Sequence, residues 1–173
     1  MAALVWLVRH GRTAWNAESR LLGWTDEPLD EIGRTQAKEL RASLAGEAFT
    51  GVWASDLVRA VETARLAHSD PILDSRLREI DFGAIEGEPW DGTDFRIREA
   101  FAEFDRFQAP GGESMETVKE RVTGFLDGLG DGTHLVFTHG GVIRMIARAC
   151  AADFFPRPGE IIVVDWPARR RVG

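Results

Sequence analysis

Two apolar runs of strand length in this chain end in the same way. Leu4-Val5-Trp6-Leu7-Val8 runs into Arg9-His10-Gly11, and His134-Leu135-Val136-Phe137-Thr138 runs into His139-Gly140-Gly141. Neither run alternates polar with apolar residues. Each therefore suits a strand covered on both faces, and helices must supply the cover. The segments around them read that way. Asp30 is placed to cap a helix with Ile32, Ala37, Leu40 and Leu44 as its apolar stripe. Ser55-Asp56 opens a second helix through about Ala67, and Phe95 to Phe107 looks helical. Met115, Val118, Val122, Phe125, Leu126 and Leu129 give the strongest helical spacing, behind a Ser114 cap. Gly140-Gly141 leads into a helix through about Ala152. Gly51 to Ala54, Pro71 to Leu73 and Ile161 to Asp165 supply further strands. The expected fold is α/β in three layers, a mostly parallel central sheet flanked by helices. It forms one domain over residues 1–173, with a small loop-helix cap insertion at about 84–110, after Glu79.

A chain of 173 residues can bury a core without staples. The single cysteine, Cys150, rules out a disulfide framework or a Cys-rich zinc site and reads as a packing residue. The net charge of −7 argues against nonspecific nucleic-acid binding, which needs a basic face. No stretch approaches the roughly 20 apolar residues of a membrane span. Residues 1–8 are short, lack a basic leader and run straight into Arg9, unlike a signal peptide. The expectation is a cytoplasmic protein with no membrane or nucleic-acid partner, monomeric or homodimeric. The six tryptophans mostly read as core; for Trp90 and Phe95, in the insertion, core is the first reading and the substrate mouth the alternative, and Arg169 to Arg171 read as a solvated end.

In open α/β sheets, ligands bind beyond the carboxyl ends of the strands. His10 and His139 stand at two such ends, so they can face one another across a shared crevice. The glycine after each lets the backbone turn sharply and approach a ligand. Gly140-Gly141 also opens a helix, whose first amides can hold an anion. A zinc site from His10, His139 and a carboxylate is the competing arrangement. Arg9, adjacent to His10, disfavours a bound cation and favours an anion.

The chain resembles the histidine phosphatase superfamily, the phosphoglycerate mutase-like family, through an ordered series of motifs. They are Leu7-Val8-Arg9-His10-Gly11-Arg12-Thr13-Ala14-Trp15-Asn16, then Gly23-Trp24-Thr25-Asp26-Glu27-Pro28-Leu29, Gly33 and Gln36-Ala37. Ala54-Ser55-Asp56-Leu57-Val58-Arg59-Ala60-Val61-Glu62-Thr63-Ala64 and Leu77-Arg78-Glu79-Ile80-Asp81-Phe82-Gly83 follow. Glu86-Gly87, Pro110-Gly111-Gly112-Glu113-Ser114 and Thr138-His139-Gly140-Gly141 complete them. Together they span about residues 4–145, and the short α-ribazole phosphatase-like members are the nearest in kind.

The resemblance implies that His10 is a nucleophile that takes the phosphoryl group, with His139, Arg9 and Arg59 stabilising charge on it. Neutral imidazole is a competent nucleophile at pH 7, and nearby arginines favour the neutral form. Glu79 matches the family's acid. Its ordinary pKa of about 4.3 would leave it ionised, so burial and the substrate's charge must raise it. Gly11, Thr13, Asn16, Leu22, Gly23 and Gly140 match positions that contact phosphate or substrate. Leu22 stands where many relatives carry Gln. The role of Arg12 is left open between the pocket and solvent. No cofactor and no metal are implied, because Arg and His supply the positive charge. The implied activity is hydrolysis of a small phosphomonoester, α-ribazole 5′-phosphate being one such metabolite. The alternatives are a phosphoglycerate mutase, which needs longer loops than the 84–110 segment provides, and an inactive phosphate-binding module.

Overall fold

The computed structural model describes residues 3–173. Its first strand, β1 (Ala3–Arg9), pairs in parallel with β4 (Gly132–Thr138), Val8 opposite Phe137 and Arg9 opposite Thr138. The two apolar runs are thus adjacent. Beyond β4 lie β2 (Gly51–Ala54) and β3 (Ile72–Leu73), both parallel to it. On the other side of β1 are β5 (Ile161–Asp165) and β6 (Arg170–Arg171), giving the order β3-β2-β4-β1-β5-β6.

Helices cover both faces, as the apolar strands require. α2 (Glu31–Leu44) and α3 (Val58–Ala67) place Leu40, Leu44, Ala64 and Ala67 against Val8, Ala54, Leu135 and Phe137. α5 (Met115–Asp127) and α6 (Gly140–Ala149) place Val118, Val122, Phe125, Val142, Ile143 and Ile146 on the opposite face, against Val5, Leu7, Val136, Ile162 and Val164. Asp30 Oδ1 accepts from the Gly33 amide and Ser114 Oγ from that of Thr117, so both expected caps are present. The short α1 (Ala14–Ala17) was not foreseen.

Several elements differ from expectation. The sheet is mostly parallel, as expected, but β5 runs antiparallel to β1. The reason is the route of the chain: the segment leaving α6 returns past the carboxyl end of β1, where Gly159 N donates to Arg9 O and Arg9 N to Glu160 O. β5 therefore starts at the histidine end. α6 stops at Ala149 rather than Ala152, and Ala151 takes a positive φ of 59°. α4 (Phe95–Glu103) ends before Phe107, because Phe104 turns to φ 70°. α3 begins at Val58. Its end is capped from a distance, by Asp26 Oδ1 on the Val58 amide, while Ser55 Oγ accepts from Leu57 N.

The 84–110 insertion carries α4 and two single 3₁₀ turns, Gly83–Ile85 and Trp90–Gly92. Phe104 and Phe107 from this insertion are buried in the main core, with Phe101 packed against them. Of the six tryptophans, Trp166 is buried, Trp24 is exposed and the others are half-buried; Phe95 is exposed as well. Trp166 belongs to the core, and Trp6, Trp53 and Trp90 pack against it, so core is the wrong reading for Phe95 and Trp24; Trp90 also lines the cleft, as its alternative had it. The basic end is exposed, as expected of a solvated end, but it is not free. It folds back as β6, with the Arg169 guanidinium over the Trp166 ring and Arg170 paired with Asp165. Cys150 is buried, as expected of a packing residue.

The loop after β1 is fastened to the start of α2. Arg12 N donates to Gln36 Oε1, Asp30 N to Arg12 O, and Arg12 Nε to Asp30 Oδ2 at 2.7 Å. This fastening demands glycine at 33, where a Cβ would run into the Arg12 backbone. Gly33→Ala should lower stability by about 2–3 kcal/mol, a fall of roughly 5–10 °C in Tm by thermal denaturation. An unchanged Tm would mean that the two segments can separate without cost.

Candidate active site

Because β1 and β4 are parallel neighbours in register, the residues that follow them emerge together. The rings of His10 and His139 lie 5.1 Å apart between centroids, tilted by 60°. The chain leaving β1 crosses β4 to reach β2, with α2 and α3 on one face. The chain leaving β4 crosses β1 to reach β5, with α6 on the other face. The connections diverge at this switch point, and the divergence opens a crevice above the two histidines.

His10 is buried, and its Nδ1 lies 2.7 Å from Gly11 O. A carbonyl can only accept, so Nδ1 carries the proton and Nε2 keeps its lone pair. Burial first, then Arg59 and Arg9, push the imidazole pKa well below its usual value. His139 is lowered in the same way, by burial and then by Arg59, and both of its buried ring nitrogens lack a partner. Arg59, from the first turn of α3, is fully buried. Its Nη2 donates to Gly23 O at 2.6 Å and its Nη1 to Thr25 O at 3.0 Å, while Nε has no partner. Burial brings its pKa down to about 10, which leaves it charged at neutral pH. Arg9 donates from Nη1 to Pro156 O at 2.6 Å, stacks over Phe155 at 5.0 Å, and also leaves Nε unpartnered.

Glu79 is buried beside them. Its Oε1 accepts from Ile80 N at 2.9 Å and its Oε2 from Gly141 N at 3.0 Å. Of the two helix amides expected to hold an external anion, that of Gly141 thus holds a carboxyl of the protein itself. Burial raises the Glu79 pKa; these two hydrogen bonds and the charges of Arg59 and Arg9 oppose the rise without cancelling it. Gly141 must lack a side chain, since a Cβ there would sit 2.5 Å from Glu79 Oε1.

An open cleft of about 590 Å³ leads to this group. Arg9, His10, Asn16, Leu22 and Glu79 line it. Gly11 and Thr13 are occupied within the protein: the Gly11 amide donates to Thr63 Oγ1, and the Thr13 hydroxyl accepts from Asn16 N in a reciprocal cap. The Gly23 amide donates to Glu86 Oε1, so that backbone position supports Arg59 through its carbonyl rather than facing the cleft with its N–H. Gly140 packs against Phe155 and the Arg9 guanidinium. Arg12 lines the cleft, and its Nε is committed to Asp30. Sequence reasoning missed Leu21, Phe82, Phe101, Phe155 and Pro158, which form apolar walls around the mouth with Trp90. The Leu21-Leu22 pair before Gly23 was the one local signal for them. Among the described residues, no group of three or more His, Cys, Asp or Glu is arranged to hold a metal ion, and no helix is long and apolar enough to cross a membrane.

The chain is similar to known proteins along most of its length. The family model described as histidine phosphatase superfamily (branch 1) matches residues 5–158. A solved phosphoglycerate mutase from Thermus thermophilus is 48% identical, with a TM-score of 0.92, over 98% of this chain and 96% of that one. An Escherichia coli K-12 structure whose name proposes an alpha-ribazole-5′-P phosphatase is 27% identical, with a TM-score of 0.82, over 99% and 94%. The fructose-2,6-bisphosphatase TIGAR of Xenopus tropicalis is 37% identical over 70% of this chain and 47% of its own length. The chain spans between 47% and 67% of the first three curated relatives it matches.

Proposed function

The chain belongs to the histidine phosphatase superfamily (branch 1), and on that premise we propose that it is a metal-independent phosphomonoester hydrolase working as one domain through a phosphohistidine at His10. One observation carries the proposal. The His139 ring lies 5.1 Å from that of His10, and Arg59 and Arg9 are near enough for their charges to act on the His10 ring; all three neighbours keep buried nitrogens with no protein partner, both of His139 and the Nε of each arginine. A buried unpaired donor costs about 1–3 kcal/mol, and phosphate oxygens would satisfy several at once. Arg and His supply the positive charge that a metal supplies elsewhere.

The chemistry follows from the geometry. His10 Nε2 attacks phosphorus, the ester P–O bond breaks, and the leaving oxygen takes the proton of Glu79. Water then attacks the phosphohistidine and gives a proton to the Glu79 carboxylate. The P–N bond breaks, and phosphate leaves with His10 neutral again. Gly140, having no side chain beside Arg9, leaves room for the transferring oxygens. Thr13, Gly11 and Gly23 serve by holding Asn16, the His10 loop and Arg59 in place.

The walls of the cleft favour a particular kind of substrate. Leu21, Leu22, Phe82, Trp90, Phe101 and Phe155 offer apolar and aromatic surface. Of the outer cations, Arg20 is paired with Glu18 and Arg12 with Asp30 through Nε. A monophosphate with an uncharged planar body suits this mouth, and α-ribazole 5′-phosphate is of that kind. A mutase must hold a carboxylate or second phosphate as well and exclude water. The engaged arginines and the core-buried Phe104 and Phe107 argue against both. The presence of His10, His139, Arg9, Arg59 and Glu79 argues against an inactive module.

The test is phosphate release from a panel of esters in the presence of EDTA. The proposal expects hydrolysis of α-ribazole 5′-phosphate and p-nitrophenyl phosphate with kcat/KM at least about tenfold above that for 3-phosphoglycerate or fructose 2,6-bisphosphate. Activity abolished by EDTA would support the metal arrangement instead. Isomerisation of 3-phosphoglycerate with 2,3-bisphosphoglycerate faster than phosphate release would make the protein a mutase.

A further inference from the structure

Glu79 sits in a stretch that no regular element holds. The segment from Arg78 to Phe82 lies between two 3₁₀ turns, Ser75–Leu77 and Gly83–Ile85, outside any strand ladder. Carbonyls in and just before it are instead gathered by Arg121, in the second turn of α5, while Trp24 Nε1 also donates to Glu79 O at 2.8 Å. Arg121 Nη1 donates to Arg76 O and to Arg78 O, each at 2.7 Å. Arg121 Nη2 donates to Glu79 O at 2.9 Å and to Glu113 Oε2 at 2.9 Å, and Nε to Glu113 Oε1 at 2.8 Å. All five N–H groups of the guanidinium are used. Glu113 continues the clamp on the far side of Glu79: its Oε2 accepts from Asp81 N at 2.9 Å, and its own N donates to Asp81 O at 2.9 Å. The pair is largely shielded, with side-chain exposures of 15% and 12%.

We infer that the Arg121–Glu113 ion pair is the positioning element for the proton donor, holding Glu79 from both sides so that its carboxyl stays within reach of the leaving oxygen. The inference rests on the acid role of Glu79 in the proposed reaction. Neither residue of the pair lines the cleft; the pair reaches the reaction through the Glu79 loop and through the Arg121 charge, which acts on His139 and which Arg121→Lys keeps. A planar fork is needed for this task. The ammonium of Lys has three donors on one nitrogen and cannot span four carbonyl and carboxylate partners on opposite sides. Proton transfer depends on position within a fraction of an ångström, whereas the phosphate-facing groups stand on other segments, Arg9 and His10 at the end of β1 and Arg59 on α3.

The experiment uses leaving-group dependence. Arg121→Lys and Glu113→Gln are assayed on an alkyl phosphate, whose departing alkoxide needs a proton, and on p-nitrophenyl phosphate, whose phenolate does not. Both are repeated in the Glu79→Gln background. The expected result for Arg121→Lys is a kcat on the alkyl ester lower by about 10- to 100-fold at little-changed KM, with p-nitrophenyl phosphate slowed by about threefold or less. Glu113→Gln shifts the same way by less. In the Glu79→Gln background neither change lowers the alkyl-ester rate further, because two residues acting through one proton are not additive. The retained p-nitrophenyl phosphate activity reports that the variants are folded. Equal losses on both esters, or a full further loss on top of Glu79→Gln, would reduce the pair to a structural role and overturn the inference. If Glu79→Gln itself shows no leaving-group dependence, the acid assignment fails, and this inference fails with it. A selective loss in Glu79→Gln with none in Arg121→Lys overturns the clamp alone.

Discussion

In His10→Ala, phosphate release from p-nitrophenyl phosphate is expected to fall by about 10⁴-fold or more, since removing a covalent nucleophile removes the path and not merely part of its stabilisation. The residual pocket still holds Arg9, Arg59 and His139, so phosphate should still bind as a competitive ligand. Rapid acid-free denaturation of the wild-type protein during turnover of labelled substrate should trap label on the chain, and His10→Ala should trap none. Label or turnover surviving the substitution would place the nucleophile elsewhere. The pH dependence follows from the depressed pKa of this ring. An ordinary imidazole loses its lone pair as pH falls through about 6.5. His10 is pushed well below that value by burial, Arg59 and Arg9. The neutral form therefore persists to lower pH, and the single-turnover rate on an activated ester should not decline as pH falls through the usual imidazole value of about 6.5. A decline centred at the usual imidazole value would mean that the site does not hold the ring neutral.

Glu79→Gln should separate substrates by their leaving groups. Proton donation is worth about 10²–10⁴-fold where the departing oxygen is basic. The loss on an alkyl phosphate should lie in that range, and the loss on p-nitrophenyl phosphate should be far smaller. Burial raises the Glu79 pKa, so the acid form persists to higher pH than for a free carboxyl. Alkyl phosphate turnover should be full below the raised pKa and fall as pH rises through it. Glutamine does not titrate, so that fall should disappear in the variant. Equal losses on the two esters, or an unchanged profile, would remove Glu79 from the acid role. Glutamine also keeps an oxygen that can accept from Ile80 or Gly141, which separates loss of the proton from loss of the loop.

The parts of the site legible in the sequence are those carried by local pattern. His10 and His139 each follow an apolar strand and precede a glycine, and strand ends point to one edge of a sheet. The caps at Asp30 and Ser114 were legible for the same reason, because a cap bonds within a few residues of itself. Arg59 and Glu79 carried no such mark. One sits where a surface salt bridge is the default, and the other lies in an irregular loop; the family motifs singled them out. The walls of the mouth were the least legible. Phe155 and Pro158 arrive through the reversal that makes β5 antiparallel, and no local pattern encodes that reversal. Arg121 was invisible for a related reason: its carbonyl partners lie more than 40 residues away.

Taken by itself, the sequence determined an α/β sheet covered on both faces and a histidine at the carboxyl end of each of two strands, because alternation and strand-end chemistry are local properties. The tertiary structure alone decided that those two strands are neighbours in register and that their connections diverge. It also decided that the Nε atoms of Arg9 and Arg59 are buried and left unpaired beside the histidines, and that one carboxyl among 28 acidic residues is raised toward its protonated form. Charge state and hydrogen-bond satisfaction depend on what surrounds a group once water has been removed, and that environment exists only when distant segments have packed together.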